Sequence, residues 1–153
     1  MTPAELTEEL SANRELAARL AALVAELQSR FENSEPDVHQ LAAMALYIGD
    51  LYAIVENSLN RILKFFNQPA PTGADWHRAL LEAFGPAARP PLPVLIEDEL
   101  LVRLHELRGF RHVVRVNYSF MLQWARIQPL SRIAAATVFE FLAVAMTRLC
   151  LDE

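Results

Sequence analysis

Apolar residues recur every three or four positions along most of this chain, and that periodicity constrains the fold more than any other feature. Leu6, Leu10, Leu16, Leu20, Leu23, Leu27 and Phe31 fall at helical spacing. They follow Thr2-Pro3-Ala4-Glu5, a capping box with proline at the first helical position. Asn33-Ser34-Glu35-Pro36 stops that helix and starts a second, whose stripe runs through Leu41, Ala45, Ile48, Leu51, Tyr52, Val55, Leu59, Ile62 and Phe66. Gln68 to Gly73, with Pro69 and Pro71, reads as a loop, and Asp75-Trp76-His77 opens a short helix ending near Phe84. Gly85 to Pro93 carries four prolines and cannot be regular helix. A fourth helix is predicted from about Glu97 to about Ile127, and a fifth from Pro129. The fifth is apolar nearly all round from Ile133 to Leu151, so it should be buried or at an interface. No strand alternation and no internal repeat stand out. The expected fold is all-α, one domain over 1–153, an antiparallel bundle of four long helices plus one short helix.

A chain of 153 residues can bury a core without metal or disulfide support. Hydrophobic residues make up 53%, so either the core is large or apolar surface is covered by a second copy in a homodimer. The net charge of −5 argues against binding nucleic acid by bulk charge, so any such contact needs a local basic patch. The single cysteine, Cys150, reads as structural, forbids an intrachain disulfide and suits a reducing compartment. No segment resembles a signal peptide. Asp50 and Glu140 break the most apolar stretches, so no clean span of about 20 residues is expected. The expectation is a cytoplasmic protein with no membrane association.

The fourth helix holds the one concentration of positive charge. At about 100° per residue, Leu107, Phe110, Val114, Asn117, Met121 and Trp124 share a face that should be core. Arg108, Arg111, Arg115 and Tyr118 share nearly the opposite face, three or four residues apart, as helix neighbours are. A solvated face would normally lace such arginines with acids at i±4, and none lies between Arg108 and Ser119. Unpaired guanidinium groups this close repel one another unless an anion is held there. Their planar forks suit phosphate.

Arg111-His112-Val113-Val114-Arg115-Val116-Asn117-Tyr118 resembles the R-x4-H-x-Y signature of HEPN ribonuclease toxins of the HepT-like group. Asp75-Trp76-His77-Arg78-Ala79-Leu80-Leu81, Arg89-Pro90-Pro91 and Glu106-Leu107-Arg108-Gly109-Phe110-Arg111-His112 look like the same group. The likeness covers most of the chain from the second helix onward. It implies a HEPN-like bundle and a metal-independent endoribonuclease that needs no cofactor. It also implies two protomers sharing one cleft, RNA as substrate, and a small nucleotidyltransferase antitoxin that attaches AMP to the motif tyrosine. Carried over, Arg111 clamps the scissile phosphate, His112 is the polar neighbour of the clamp, and Tyr118 is the AMPylation site. Arg108 and Arg115 would hold RNA.

The departure is Val116, which occupies the position of the motif histidine and cannot carry a proton. A general acid or base supplies about 10²–10⁴ in rate, so the resemblance predicts a weak or inactive ribonuclease. His112, about 40° from Arg108 on the wheel, stands at the edge of the ridge as a differently placed substitute. Other constellations point away from metal. The residues three before His39, His77, His105 and His112 are Pro36, Ala74, Val102 and Gly109, so the Glu-x-x-His of di-iron bundles is missing. His77 beside Trp76 is expected to pack at a helix start. Trp76 and Trp124 are expected in the core. Glu56-Asn57 reads as a satisfied polar pair at the bundle edge, with orientation of Arg111 or Arg115 as the alternative. Two other functional readings stay open: a non-catalytic interaction module whose ridge docks an acidic protein, and a nucleotide-binding helper subunit of a nucleotidyltransferase.

Overall fold

The computed structural model describes residues 1–31, 33–149 and 151. Cys150, expected to be structural, lies outside the described residues. Five helices follow in order: α1 (Pro3–Ser29), α2 (Val38–Phe65), α3 (Trp76–Glu82), α4 (Asp98–Val116) and α5 (Trp124–Arg148). A 3-10 turn, Ser119–Met121, stands between α4 and α5. No strand occurs among the described residues.

Local chemistry explains where the first two helices begin. The Thr2 amide donates to Glu5 Oε2 at 2.7 Å and the Glu5 amide donates to Thr2 Oγ1 at 3.2 Å. Asp37 and Gln40 repeat the device at the start of α2, at 2.8 and 2.9 Å. Each box satisfies donors that a helix start leaves unpaired. The second box lies one residue beyond Pro36, so the sequence marks the right junction but a slightly early start.

Side-chain pairings give the helix directions. Asn13 on α1 donates to Asn57 and Ser58 on α2, while Glu9 pairs with Arg61, so these two run antiparallel. On α4 and α5, Arg103 pairs with Glu140 and Glu97 with Arg148, again antiparallel. α2 is the central rod, packed against α1, α3, α4 and α5. Met44, Ile48, Leu51, Val55, Leu59 and Ile62 are essentially sealed from solvent. On α1 the buried seam is Leu6, Leu10, Asn13, Ala17 and Val24, whereas Leu16 and Leu23 are exposed. The apolar spacing is right but includes leucines that lie just outside the seam. By length and composition α2 and α5 would each suffice to cross a membrane, contrary to the expectation that Asp50 and Glu140 rule this out. In this bundle their apolar faces form much of the core.

α4 is shorter than its periodicity predicts. It ends at Val116, because Asn117 is extended and both its backbone and side-chain N–H groups donate to the Val113 carbonyl, at 3.1 and 2.8 Å. A short amide that competes for the last carbonyls favours a helix end. Asn117 and Met121, placed in the core by the wheel, are exposed as a result. The fifth helix begins at Trp124, five residues before Pro129, which lies inside it. The missing Pro129 N–H leaves the Ala125 carbonyl without its helical donor on an exposed turn. Trp124 anchors that start, its ring edge-on to Phe31 at 5.5 Å.

Gly109 sits within α4, and a Cβ built on it meets nothing within 4 Å. Gly109→Ala should therefore stabilise the fold by about 0.5–1 kcal/mol, read as a higher midpoint in urea denaturation.

Candidate functional site

A cleft of about 210 Å³ opens between α2, α3 and α4. Its walls include Tyr52 from α2, Asp75, His77 and Arg78 from the start of α3, and Arg108, Arg111, His112 and Arg115 from α4. The loop before α4 fixes the two side walls against each other. The Leu95 and Ile96 amides both donate to the Phe84 carbonyl at 2.9 Å, and both side chains are buried. That clasp holds α3 alongside the N-terminal half of α4.

Glu56 organises the cleft floor. It is one turn beyond Tyr52 on α2 and is 5% exposed. Its Oε1 accepts from Arg111 Nη1 at 2.8 Å and its Oε2 meets His77 Nδ1 at 2.5 Å. A buried carboxylate is costly unless paired and hydrogen-bonded, and this one has a partner on each oxygen. Asn57 points elsewhere, accepting from Asn13 of α1. The expected Glu56–Asn57 pair is thus split: the asparagine serves the bundle and the glutamate orients Arg111. His77 does more than pack at a helix start. Its ring lies against Trp76, with centroids 3.4 Å apart, and its Nδ1 is committed to Glu56.

The arginines of the ridge differ in setting. Arg111 is half-buried over α2 rather than opposite the core, and its acid comes from another helix, which i±4 spacing could not show. Arg108 Nε donates to His105 Nδ1 at 3.2 Å. Burial, then the Arg108 charge, pushes the His105 imidazole below its ordinary range, consistent with a neutral acceptor ring. Arg78, Arg108 and Arg115 have no acidic partner among the described residues. Four arginines therefore line a cleft whose walls include one acid, Asp75, with Glu56 buried beneath Arg111, an excess of positive charge in a chain of net −5.

Not every residue singled out in the sequence reaches the cleft. Arg108, Arg111, His112 and Arg115 line it. Val116 is 65% exposed at the helix end, outside the cleft walls. Tyr118 lies beyond the helix altogether, 71% exposed and stacked on Phe120 at 5.5 Å, so it does not continue the arginine ridge. Conversely, Arg78 was not singled out, and Tyr52 was counted only as core. The signal for both was available: Tyr52 and Glu56 are four apart on one face of α2, and Arg78 adjoins the Asp75-Trp76-His77 helix start.

Tyr52 is 1% exposed, yet its hydroxyl has no hydrogen bond of ordinary geometry among the described residues. Burial first, then the Glu56 charge, keeps its proton bound well above the ordinary tyrosine range. An unfolded tyrosine ionises near pH 10. Above that pH the folded state binds more protons than the unfolded one, so stability falls as pH rises, by up to about 1.4 kcal/mol per pH unit. Tyr52→Phe should flatten this alkaline slope in urea melts between about pH 9 and 11. At neutral pH, where the phenol is protonated in both states, the same change should leave stability within about 1 kcal/mol of the parent.

No curated protein and no solved structure matches this chain. A family profile described as HepT-like protein matches residues 43–149, which takes in every cleft residue. With that match over more than half its length, on an all-helical bundle of the expected kind, the chain belongs to the HepT-like family.

Proposed function

We propose that this protein is the toxin component of a bacterial toxin–antitoxin pair, a cytoplasmic HEPN-type endoribonuclease that holds an RNA phosphodiester in the arginine cleft. One observation carries the reading. Four guanidinium groups surround a single cleft in an acidic chain, and three of those arginines lack an acidic partner among the described residues. Phosphate oxygens accept from guanidinium groups and relieve the mutual repulsion of the arginines. Arg111, held by Glu56 through Nη1 alone, keeps Nε and Nη2 for the phosphate. Arg108 and Arg115 extend the grip along the backbone. Cleavage is weak, because the motif position carries Val116 and proton transfer falls to an imidazole elsewhere in the cleft.

The other end of the same region supports a docking role. Val116, Tyr118, Phe120 and Met121 form a large exposed apolar run at and beyond the C-terminal end of α4. In this reading a second copy covers part of it, bringing two clefts into one RNA groove. The nucleotidyltransferase antitoxin reaches Tyr118, whose exposure leaves its hydroxyl open to AMPylation.

Arg111→Ala and Arg115→Ala should weaken binding of single-stranded RNA, measured by fluorescence anisotropy across a salt series. Each lost phosphate contact should reduce the slope of log K against log salt by about 0.7. Val116→His should raise cleavage by restoring a proton carrier at the motif position. An RNA affinity indifferent to both arginine changes would sink the reading. Incubation with the transferase and ATP should add one AMP by intact mass, and Tyr118→Phe should abolish the addition.

A further inference from the structure

We propose that His77 is the proton carrier of this cleft, supplying from α3 the imidazole that position 116 lacks. The inference rests on the reading of the cleft as an RNA site, and it names the residue that does the acid–base work there.

Three observations single out His77. It lines the cleft together with Arg111. Its Nδ1 is bonded to a buried carboxylate, so Nδ1 donates that hydrogen bond and Nε2 is the nitrogen left to exchange a proton with a ligand. Nε2 has no protein partner among the described residues. That same carboxylate holds Arg111 by its other oxygen, so one side chain sets the separation of the phosphate clamp and the base. No other histidine combines these features. His105 already accepts from Arg108 and lies outside the cleft walls. His112 lines the cleft but is exposed, and no described residue orients its ring. His39 is on the first turn of α2, away from the cleft.

The step balances without metal or cofactor. His77 Nε2 takes the proton of a ribose 2′-hydroxyl as its oxygen bonds to the adjacent phosphorus. The bond from phosphorus to the 5′-oxygen breaks, and that oxygen leaves with a proton from water. The products are a 2′,3′-cyclic phosphate and a 5′-hydroxyl, and the imidazolium returns its proton to the hydroxide so formed. Arg111 stabilises the charge that gathers on the non-bridging oxygens. Glu56 is a positioning residue for both groups.

His77→Asn is the informative change. Its amide N–H can still meet Glu56, but nothing replaces Nε2. In the full-length chain with a fluorescent single-stranded RNA, fold by circular dichroism and affinity by anisotropy should be retained. Single-turnover cleavage should drop by about 10²–10⁴. Imidazole in the buffer should partly restore the rate of His77→Ala, which a purely structural role would not allow. An RNA lacking the 2′-hydroxyl at the cut position should resist the parent protein. The proposal is overturned if His77→Asn cuts as fast as the parent, or if the loss follows His112→Ala instead. It is also overturned if the parent cuts no faster than Arg111→Ala. A full-rate His77→Asn alongside an Arg111→Ala that no longer binds RNA would refute the base and leave the cleft standing.

Discussion

The carboxylate of Glu56 is the constraint on which the cleft depends. It sits 5% exposed on the central helix, with a guanidinium from α4 on one oxygen and an imidazole from α3 on the other. Apart from those contacts it would be a buried charge, whose desolvation costs several kcal/mol. The pairing therefore fixes three helices at once: α4 cannot slide or rotate on α2 without stranding the charge, and α3 cannot lift away. The hydrophobic core sets which faces meet. Glu56 sets the register at which they meet, and with it the positions of Arg111 and His77.

That arrangement also explains how an acidic chain sustains a positive cleft. Acids gather on α1, at Glu5, Glu8, Glu9 and Glu15, and α1 contributes nothing to the cleft walls. Within the walls, Glu56 neutralises part of the Arg111 charge but is sealed beneath it. What faces solvent is the surplus from Arg78, Arg108 and Arg115. A concave surface of one sign focuses its field on ligands of the other, so net charge is a poor guide to what this protein can hold. The neutral His105 ring adds to the effect, since it fixes Arg108 without cancelling its charge.

Much of the fold was legible because helix signals are local. A capping box, a proline cluster and an apolar stripe each act within a few residues, and they placed five helices in the right order. The failures share a cause. The stripe from Leu107 to Trp124 keeps its period straight through a break, because Asn117 ends the helix by a side-chain hydrogen bond that no periodicity registers. Of the cleft, the arginines on α4 were legible as a ridge, since they are neighbours in sequence. Their acid was not, because Glu56 lies 55 residues from Arg111. His77, 21 residues from Glu56, was misread for the same reason: its role depends on a partner that only the packed bundle supplies.

Position 116 shows what separates a motif from a site. A spacing rule assigns a role by distance along one helix, whereas proton transfer depends on distance in space. Val116 is the last residue of α4, and the chain becomes extended immediately after it, at Asn117. Val116 lies outside the cleft walls, so under the proposed reading an imidazole at this position would act only if a second copy brought it to a cleft. His77 is held from within the same chain, by the carboxylate that also holds Arg111. A cleft built that way has its guanidinium and imidazole oriented within one chain, by a carboxylate that does not depend on the residue at position 116.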